Sequence, residues 1–481
     1  MVTGAVAAID LGATSGRVMI GRVAPNELSI RQIARFPNTP VPTVDGLHWN
    51  IRGLYAAALD GLASAVREEP GLASIGVDSW ACDYGLLRDG QLLAQPYHYR
   101  DERTTRVIEE VHSRIDLAEL YVANGLQYLP FNTLYQLSAD RAAGTLARAD
   151  DFLLIPDLIA FWLTGNRYGE RTNASTTGLL GITSRVWDSV LIERLDLPRA
   201  IFPELVDAGS SAGTLSPVVA EEIGAGERVA VTAVGSHDTA SAVAAVPAAS
   251  DDFAYISCGT WSLVGLELDH PHVSEAGRLA GFTNEGGVDG RIRYLHNVMG
   301  LWLLNESVRT WESGGEQVNV AALLRQAEAA TATIFDPEDP RFLPPGDIPA
   351  RIAELCQEHG LRVPRSRPDV VRSIVESLAH AYARTLNKAA QLTGKTVSVV
   401  HLVGGGSQND MLCQLTADRT GLTVLAGPAE ATSIGNILVQ ARAQGFATGS
   451  LESLRALVAI AFPPRVYLPR DVPPGGAIGS R

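Results

Sequence analysis

Residues 6–23 read VAAIDLGATSGRVMIGRV. Two apolar runs, from Val6 to Ile9 and from Val18 to Val23, flank a turn of small residues between Gly12 and Gly16. Apolar runs joined by a glycine-containing turn are typical of a β-hairpin. Small residues at its tip let the backbone come close to a ligand and offer N–H and hydroxyl groups to phosphate oxygens. The stretch therefore predicts a hairpin whose turn can bind phosphate.

The same design returns in the second half of the chain, where residues 253–268 read FAYISCGTWSLVGLEL. A second pair of similar segments supports the repetition. Val229–Val234 leads into Gly235-Ser236-His237-Asp238, and Val397–Val403 leads into Gly404-Gly405-Gly406-Ser407-Gln408-Asn409. Each of these is a predicted strand, a glycine-containing turn and the start of a helix. The two halves are therefore interpreted as a diverged duplication.

The length of 481 residues exceeds the size at which one hydrophobic core keeps growing, so two large domains are expected. We place them at 1–246 and 247–481, with an irregular, proline-rich insertion near 336–367 and a loose tail at 471–481. Long helical patterns alternate with short strands rich in Val and Ile, which predicts an α/β fold. The predicted helices include 54–67, 239–246, 370–392 and 409–419.

The composition excludes several classes of protein. The formal charge is −14 and lysine occurs only at Lys388 and Lys395, so a nucleic-acid partner is not expected. The N-terminus has no basic region ahead of its apolar run, and no run is long enough to span a bilayer. A soluble, cytoplasmic monomer or homodimer is expected. The four cysteines show no CxxC spacing, which favours free buried thiols over a zinc site or a disulfide framework.

The turn at residues 12–16 has two interpretations. Taken alone, it is an ordinary hairpin turn capped by Asp10. The matching turn at Gly259-Thr260 favours the phosphate-binding interpretation, because two such turns from two domains can hold a polyphosphate from both sides of a cleft. Arg17 then adds a guanidinium that can contact phosphate with two N–H groups.

The segment Gly394-Lys395-Thr396 looks like the end of a phosphate-binding loop of the strand–loop–helix type, but it fails two requirements of that motif. Position 389 is alanine where the motif needs glycine, and the segment follows a helix and precedes a strand. It is interpreted as a helix-to-strand turn.

Asp238 lies where a predicted strand ends and a predicted helix begins. One interpretation makes it a helix N-cap. The other makes it a general base that takes the proton from an attacking hydroxyl, as phosphoryl transfer to an alcohol requires. The neighbouring His237, by itself, is more typical of a packed or solvent-facing histidine than of a catalytic one.

Several motifs together resemble the FGGY carbohydrate kinases, whose fold is the duplicated, actin-like (ribonuclease H-like) ATPase fold with the active site in the interdomain cleft. The matching motifs, in chain order, are 10–17, 77–80, 99–103, 235–239, 257–262 and 404–409. The resemblance runs from residue 6 to about residue 445. Within the family the sequence is most similar to the kinases that act on L-rhamnulose, notably in the segments DLGATSGR, GSHDTASAV and SCGTWSLVG. The resemblance therefore implies ATP, Mg²⁺ and a small keto-sugar as ligands.

The resemblance also implies a role for individual residues. The residues implied in ATP binding are Ala13, Thr14, Ser15, Gly16, Arg17, Thr260, Asn305 and Gly405. Those implied in sugar binding are Ala81, His237, Asp238, Thr239 and Asn297. Asp10 is implied to hold Mg²⁺ through water, and Asp238 to act as the base. The first domain would carry the sugar and phosphate side, and the second the adenosine side.

Two positions depart from the pattern of the L-rhamnulose kinases, since Ala81 replaces a glycine and Asn305 replaces a glutamine. Gly435 matches a glycine in the family's last connecting helix, where it would allow close packing and a pivot for domain closure. It is equally well explained as a tolerated helix glycine. Two other functions remain open: a kinase for fuculose, xylulose or ribulose, and a non-catalytic nucleotide switch on the same fold.

Overall fold

The computed structural model describes residues 3–226, 228–315 and 317–470. The chain divides into two compact units. The first comprises Met1–Ala249, Glu267–Leu295 and Glu430–Pro463, and the second comprises Ser250–Leu266, His296–Ala429 and Pro464–Arg481. The predicted loose tail, 471–481, lies outside the described residues.

The strands, in chain order, are β1 Gly4–Leu11, β2 Ser15–Ala24, β3 Glu27–Pro37, β4 Val41–Thr43, β5 Gly46–His48, β6 Leu72–Ser79, β7 Tyr84–Arg88, β8 Gln91–Leu92, β9 Asp151–Leu154, β10 Gly169–Glu170, β11 Leu205–Val206, β12 Ser211–Thr214, β13 Ala230–Thr232, β14 Phe253–Cys258, β15 Trp261–Leu268, β16 Thr283–Gly286, β17 Ile292–Met299, β18 Val399–Val403, β19 Thr423–Ala426 and β20 Arg465–Tyr467.

The α-helices are α1 Ile51–Glu68, α2 Ile108–Arg114, α3 Leu117–Asn124, α4 Thr133–Ala142, α5 Ile155–Thr164, α6 Arg171–Ala174, α7 Ser189–Arg194, α8 Pro217–Ile223, α9 Asp238–Ala244, α10 Glu275–Leu279, α11 Trp302–Glu312, α12 Val320–Ala327, α13 Ile348–Glu358, α14 Arg367–Thr393, α15 Asp410–Thr420, α16 Ala431–Ala443 and α17 Leu451–Ala461.

The first unit is built on a six-stranded sheet in the order β12-β13-β6-β1-β2-β3. The predicted hairpin is confirmed, because β1 and β2 pair antiparallel from Gly4↔Val23 to Leu11↔Gly16. On its other side β1 pairs in parallel with β6, and β6 pairs in parallel with β13. Almost every residue of β1 is buried, as is expected for a central strand covered on both faces.

The core of the first unit forms where apolar side chains of the sheet meet helices. Helix α1 presents buried residues at helical spacing, among them Leu54, Ala58 and Leu62, and these belong to one cluster with Ile9 and Val18 of the hairpin. The carboxyl ends of β1 and β6 carry polar residues instead. The packed core therefore supports a polar edge of the sheet, and the candidate site residues lie at this edge.

The second unit repeats this design. Its hairpin β14–β15 pairs antiparallel from Ala254↔Leu266 to Cys258↔Ser262. On the other side β14 pairs in parallel with β18, and β18 pairs in parallel with β19. This is the connectivity of β1, β2, β6 and β13 in the first unit, so the duplication inferred from sequence is confirmed at the level of topology.

The predicted helices at 54–67, 370–392 and 409–419 correspond to α1, α14 and α15. The segment 336–367 is not irregular throughout, because it contains α13 and a short 3₁₀ helix, Pro340–Phe342. The expectation that this proline-rich segment is irregular is therefore wrong. Pro340 and Pro349 lie in the first turns of these helices, where a missing N–H group costs no intrahelical hydrogen bond.

All four cysteines are free and buried, as the sequence indicated. Gly394 ends α14 in the left-handed conformation, at φ 70°, and its N–H group bonds to the carbonyl oxygen of Ala390. This confirms that the segment is a helix-to-strand turn. No helix among the described residues is long and apolar enough to cross a membrane.

Candidate active site

The turn between β1 and β2 is fixed from within and from outside. The N–H group of Gly12 donates to the carbonyl oxygen of Ser15 at 3.0 Å. Asn38, only 4% exposed, donates its N–H to the carbonyl oxygen of Thr14 at 3.0 Å and its side-chain Nδ2 to that of Gly12 at 2.9 Å. The predicted phosphate-binding residues Ala13–Gly16 therefore lie on a firmly held loop.

Two carboxylates and one guanidinium meet at the end of this hairpin. In the sheet register Asp10 lies opposite Arg17 on β2 and opposite Asp78 on β6. The Nε atom of Arg17 is 3.4 Å from Oδ2 of Asp10, and the same guanidinium pairs with Glu430. Burial raises the pKa of Asp10 although Arg17 opposes the shift. Burial, with repulsion from Asp10, raises the pKa of Asp78 well above its ordinary range.

Helix α16 supplies hydrogen bonds to both carboxylates. Ser433 donates its hydroxyl to Oδ2 of Asp10 at 2.7 Å, and Asn436 donates Nδ2 to Oδ2 of Asp78 at 2.6 Å. With Glu430, these residues follow a spacing of three and therefore lie on one face of the helix. Oδ1 of Asp78 is buried and has no hydrogen-bond partner among the described residues.

Asp238 is the first residue of α9, and its side chain is 31% exposed. The interpretation of Asp238 as the N-cap is wrong, because His237 occupies the cap position and no side chain accepts a hydrogen bond from the first turn. Instead, Oδ1 of Asp238 accepts a hydrogen bond from the hydroxyl of Thr239 at 3.0 Å and lies 3.4 Å from Nε2 of His237. Its negative charge raises the pKa of both Asp10 and Asp78, so the three carboxylates share one electrostatic environment.

A buried carboxylate holds the loop that precedes Asp238. Oε2 of Glu170 accepts hydrogen bonds from the N–H and the hydroxyl of Ser236, both at 3.0 Å, and Oε1 accepts one from the N–H of Thr172 at 3.0 Å. Burial raises the pKa of Glu170, and these hydrogen bonds oppose the shift. The neighbouring Ser79 donates its N–H to the carbonyl oxygen of Ser236 at 2.9 Å. The loop at 235–237 is therefore fixed on two sides.

The turn after β6 contains Ala81, one of the predicted sugar-binding residues. Its left-handed position, at φ 72°, falls on Cys82 rather than on Ala81, so an alanine at 81 meets no such restriction. Asp83 stabilises the turn. Its Oδ2 accepts hydrogen bonds from Nε1 of Trp49 at 2.6 Å and from Nε1 of Trp80 at 3.0 Å. Burial raises the pKa of Asp83 to about 6.

Thr260 and Asn305 are joined within the second unit. The turn containing Thr260 packs onto the start of α11, where the N–H of Leu301 donates to the carbonyl oxygen of Gly259 at 2.9 Å. A Cβ atom on Gly300 would lie 2.7 Å from the carbonyl oxygen of Thr260, so only glycine fits there. Asn305 follows one helical turn later and donates its N–H to the carbonyl oxygen of Leu301 at 2.9 Å.

The glycine run that contains Gly405 lies against the same hairpin. Cβ atoms on Gly404 and Gly406 would lie 2.8 Å and 2.2 Å from atoms of Cys258, whereas one on Gly405 would meet nothing within 4 Å. Gly405 therefore faces open space beside the end of β14. Asn297 lies on β17, and the adjacent His296 forms a hydrogen bond with Glu338 through Nε2.

The donor set at the end of the first hairpin fits a magnesium ion. Mg²⁺ is usually held by one or two carboxylates together with water and substrate phosphate oxygens, rather than by a complete protein cage. Asp10 and Asp78 provide two buried carboxylates, one of which has an oxygen without a partner. Among the described residues no group of three or more His, Cys, Asp or Glu side chains could hold a metal by itself.

Within the first unit the structure brings together Asp10, Ala13–Arg17, Ala81 and His237–Thr239, all at or beside the carboxyl ends of β1, β6 and β13. Within the second, the turn of Thr260 packs against the start of the helix that carries Asn305, and the end of β14 packs against the glycine run that contains Gly405. No role was predicted from the sequence for Asp78, Glu170, Glu430, Ser433 or Asn436. The spacing of three in 430, 433 and 436 is a signal that could have revealed a polar helix face.

The chain matches "FGGY family of carbohydrate kinases, N-terminal domain" over residues 5–245 and "FGGY family of carbohydrate kinases, C-terminal domain" over residues 254–444. The rhamnulokinase of Bacteroides thetaiotaomicron is 39% identical over 470 residues, which cover 97% of this chain and 96% of that relative. That of Pectobacterium carotovorum subsp. carotovorum is 41% identical over 474 residues, covering 97% of this chain and 93% of the relative.

Solved structures show the same fold at low sequence identity. The gluconate kinase of Lactobacillus acidophilus has a TM-score of 0.78 at 16% identity, covering 98% of this chain and 94% of that one. The ligand-bound xylulose kinase of Lactobacillus acidophilus has a TM-score of 0.77 at 17% identity, covering 97% and 94%. The Plasmodium falciparum glycerol kinase with ADP has a TM-score of 0.76 at 15% identity, covering 97% and 94%.

Proposed function

This chain belongs to the FGGY family of carbohydrate kinases, and from that membership we propose that it transfers the γ-phosphoryl group of ATP to the 1-hydroxyl of L-rhamnulose. The products would be ADP and L-rhamnulose 1-phosphate. The choice of sugar is supported by the full-length similarity to rhamnulokinases. The observation that carries the chemistry is the partly exposed carboxylate of Asp238, which accepts a hydrogen bond from Thr239 and lies beside His237.

Asp238 would serve as the general base. Oδ1 accepts a hydrogen bond from Thr239 and lies 3.4 Å from Nε2 of His237, so Oδ2 is the oxygen proposed to receive the proton of the sugar hydroxyl. The hydroxyl oxygen then bonds to the γ-phosphorus while the bond from that phosphorus to the β,γ-bridging oxygen breaks. Since this transition state is loose, positioning and charge neutralisation contribute most of the acceleration.

The phosphate groups would be held mainly by Ala13–Arg17. The small residues offer backbone N–H groups and hydroxyls on a loop that Asn38 fixes. The carboxylates of Asp10 and Glu430 fix the guanidinium of Arg17 beside this loop, and its remaining N–H groups are proposed to bind the phosphates. In the second unit we assign Thr260 to the phosphates, and Asn305 and Gly405 to the adenosine.

Asp10, through water, and Asp78 would hold the magnesium ion that accompanies ATP, and the ion would neutralise charge on the β- and γ-phosphates. This proposal is supported by the burial of both carboxylates beside each other, since a cation between them would favour the ionised forms that burial opposes. Asn436 fixes one oxygen of Asp78 and leaves the other available.

Ala81, His237, Thr239 and Asn297 are the residues proposed to place the sugar. Ala81 and His237 lie on adjoining segments, because Ser79 bonds to the loop of His237. We assign the base, the phosphate loop and most of the sugar contacts to the predicted domain 1–246, and the adenosine, together with the contacts of Thr260 and Asn297, to 247–481. The cytoplasm, where ATP is available and thiols stay reduced, is the proposed compartment.

A panel of ketoses tests the choice of substrate. Release of ADP is measured with ATP, Mg²⁺ and L-rhamnulose, L-fuculose, D-xylulose or L-ribulose, with a sugar-free reaction as the control. We expect kcat/KM for L-rhamnulose to exceed the others by about tenfold or more. A similar preference for another ketose would contradict the assignment. ATP turnover indifferent to every sugar would favour a nucleotide switch.

A further inference from the structure

A buried ion pair lies directly behind His237. Glu285 on β16 and Arg293 on β17 are cross-strand partners, and Nη1 of Arg293 is 3.0 Å from Oε2 of Glu285. Their side chains are 7% and 0% exposed. A charge buried this deeply is costly unless it is paired and hydrogen-bonded. Arg293 also donates Nε to the carbonyl oxygen of Gly286 at 3.0 Å, which fixes the plane of its guanidinium.

The guanidinium determines which nitrogen of His237 carries the proton. Nη2 of Arg293 lies 3.0 Å from Nδ1 of His237. An arginine N–H can only donate, so Nδ1 must accept and the ring proton of the neutral histidine is on Nε2. Oε2 of Glu285 is also near Nδ1, at 3.3 Å, but it could bond only to a protonated Nδ1. In that state Arg293 would face another donor at hydrogen-bonding distance.

The other ring nitrogen points toward the base. Nε2 of His237 lies 3.4 Å from Oδ1 of Asp238, the oxygen that already accepts the hydroxyl of Thr239. His237 is 5% exposed, so its ring is enclosed. The ion pair of Glu285 and Arg293 therefore contacts His237, and His237 in turn lies against the carboxylate of Asp238.

We propose that Arg293 and Glu285 are positioning residues for phosphoryl transfer: they hold His237 in the Nε2–H tautomer and so aim its hydrogen at Oδ1 of Asp238. Oδ1 is thereby occupied, and Oδ2 is left to take the proton of the sugar hydroxyl. Glu285 neutralises the charge of Arg293. This inference rests on the proposed role of Asp238 as the base, although the tautomer of His237 does not.

The experiment begins with the tautomer, which needs neither substrate nor turnover. The full chain is labelled with ¹⁵N-histidine, and ring nitrogens are correlated with ring protons by NMR in neutral buffer. His237→Gln identifies the signals of His237. We expect Nε2 to be protonated and Nδ1 to be unprotonated. A proton on Nδ1 in the parent protein overturns the proposal, whichever sugar the enzyme uses.

The second step replaces the pair. The double variant Arg293→Met with Glu285→Met removes both charges while keeping similar volume, so no unpaired charge is left buried. We expect mixed tautomers of His237 and a kcat lower by about tenfold or more, which corresponds to one charge-assisted hydrogen bond, with little change in KM for the sugar. The single variant Arg293→Lys still offers only hydrogen-bond donors to Nδ1. It should therefore keep the Nε2–H tautomer and retain part of the parent kcat.

A nearby arginine provides the control. Arg291 immediately precedes the same strand but pairs at the surface with Asp269 and Glu452. Arg291→Gln should leave both the tautomer and kcat unchanged. If the double variant retains the Nε2–H tautomer and the parent kcat, the pair is structural only and the proposal is wrong. If the double variant does not fold, the single variant Arg293→Lys is used in its place. Loss of the Nε2–H tautomer of His237 in that variant would also contradict the proposal.

Discussion

Replacing Gly435 with alanine should force apart two helices of the first unit, α16 and α9. A Cβ atom at position 435 would lie 1.8 Å from the carbonyl oxygen of Ser241 and 2.6 Å from its carbonyl carbon. Real Cβ atoms essentially never come closer than 3.0 Å to such neighbours. Both contacted atoms are backbone of α9, so rotation of a side chain cannot relieve the overlap and the helices must separate.

The expected loss follows from two opposing effects. Alanine is favoured over glycine in a helix interior by about 1 kcal/mol. An extra group forced into a packed interior costs about 1–3 kcal/mol, and a backbone neighbour places this site at or above the upper end. We expect a net loss of about 2 kcal/mol. Since Asp238 begins α9, its carboxylate moves as well, and kcat should fall by about one to two orders of magnitude.

The assay is urea unfolding followed by circular dichroism, with kcat measured on the same preparations. Gly71→Ala is the matched control, because a Cβ atom there would meet nothing within 4 Å. Gly435→Ala should unfold at a lower urea concentration than the parent, and Gly71→Ala should not. If Gly435→Ala is as stable and as active as the parent, the two helices do not pack as closely as described, and Gly435 is only a tolerated helix glycine.

Three further changes have defined outcomes. Arg17→Ala and Thr260→Ala should each weaken ATP binding by about 1.5–3 kcal/mol, measured by calorimetric titration, and should leave sugar binding nearly intact. Unchanged ATP binding in both variants would contradict the role of the two turns. Asp238→Asn should still bind both substrates but lose about two to four orders of magnitude in turnover, whereas turnover within a few-fold of the parent would leave Asp238 only an orienting role. The raised pKa of Asp83, about 6 against an ordinary 3.8, means that protonation stabilises the folded state as the pH falls through 6. The stability of the parent relative to Asp83→Asn should therefore rise by about 2.4 kcal/mol between pH 7 and 4, and a constant difference would contradict this.

The features that sequence predicted well are local ones. The hairpin turns at 12–16 and 259–260, and the strand–turn–helix at 229–246, depend on residues that are neighbours in the chain. Glycine, small residues and an apolar run determine such a turn by themselves. The repetition of the pattern then indicated the duplicated fold without any knowledge of contacts between distant residues.

The features that sequence did not predict depend on long-range contacts. Asn436 bonds to Asp78 across 358 positions of the chain, and Ser433 bonds to Asp10 across 423. Nothing in the local pattern of α16 says which strand end its polar face meets. The pair of Glu285 and Arg293 is similar, because alternating polar residues on a strand predict an exposed face. Both are buried here because they neutralise each other behind His237.

The prolines in 336–367 do not mark irregular chain, because two of them lie in the first turns of helices. The apolar spacing of Ile348, Ile352 and Leu355 on α13 contained the contrary information. Domain closure about Gly435 and the individual ligand contacts stay predictions. They concern the enzyme with its substrates bound.

The most direct test of the central claim is the ³¹P NMR spectrum of the product formed from ATP, Mg²⁺ and L-rhamnulose by the purified chain, recorded without proton decoupling. Phosphorylation at the 1-hydroxyl places the phosphorus next to a CH₂ group, so its signal should be split by two protons, and ADP should accumulate in equal amount. A phosphate ester split by a single proton, or inorganic phosphate as the only new signal besides ADP, would contradict the proposed reaction.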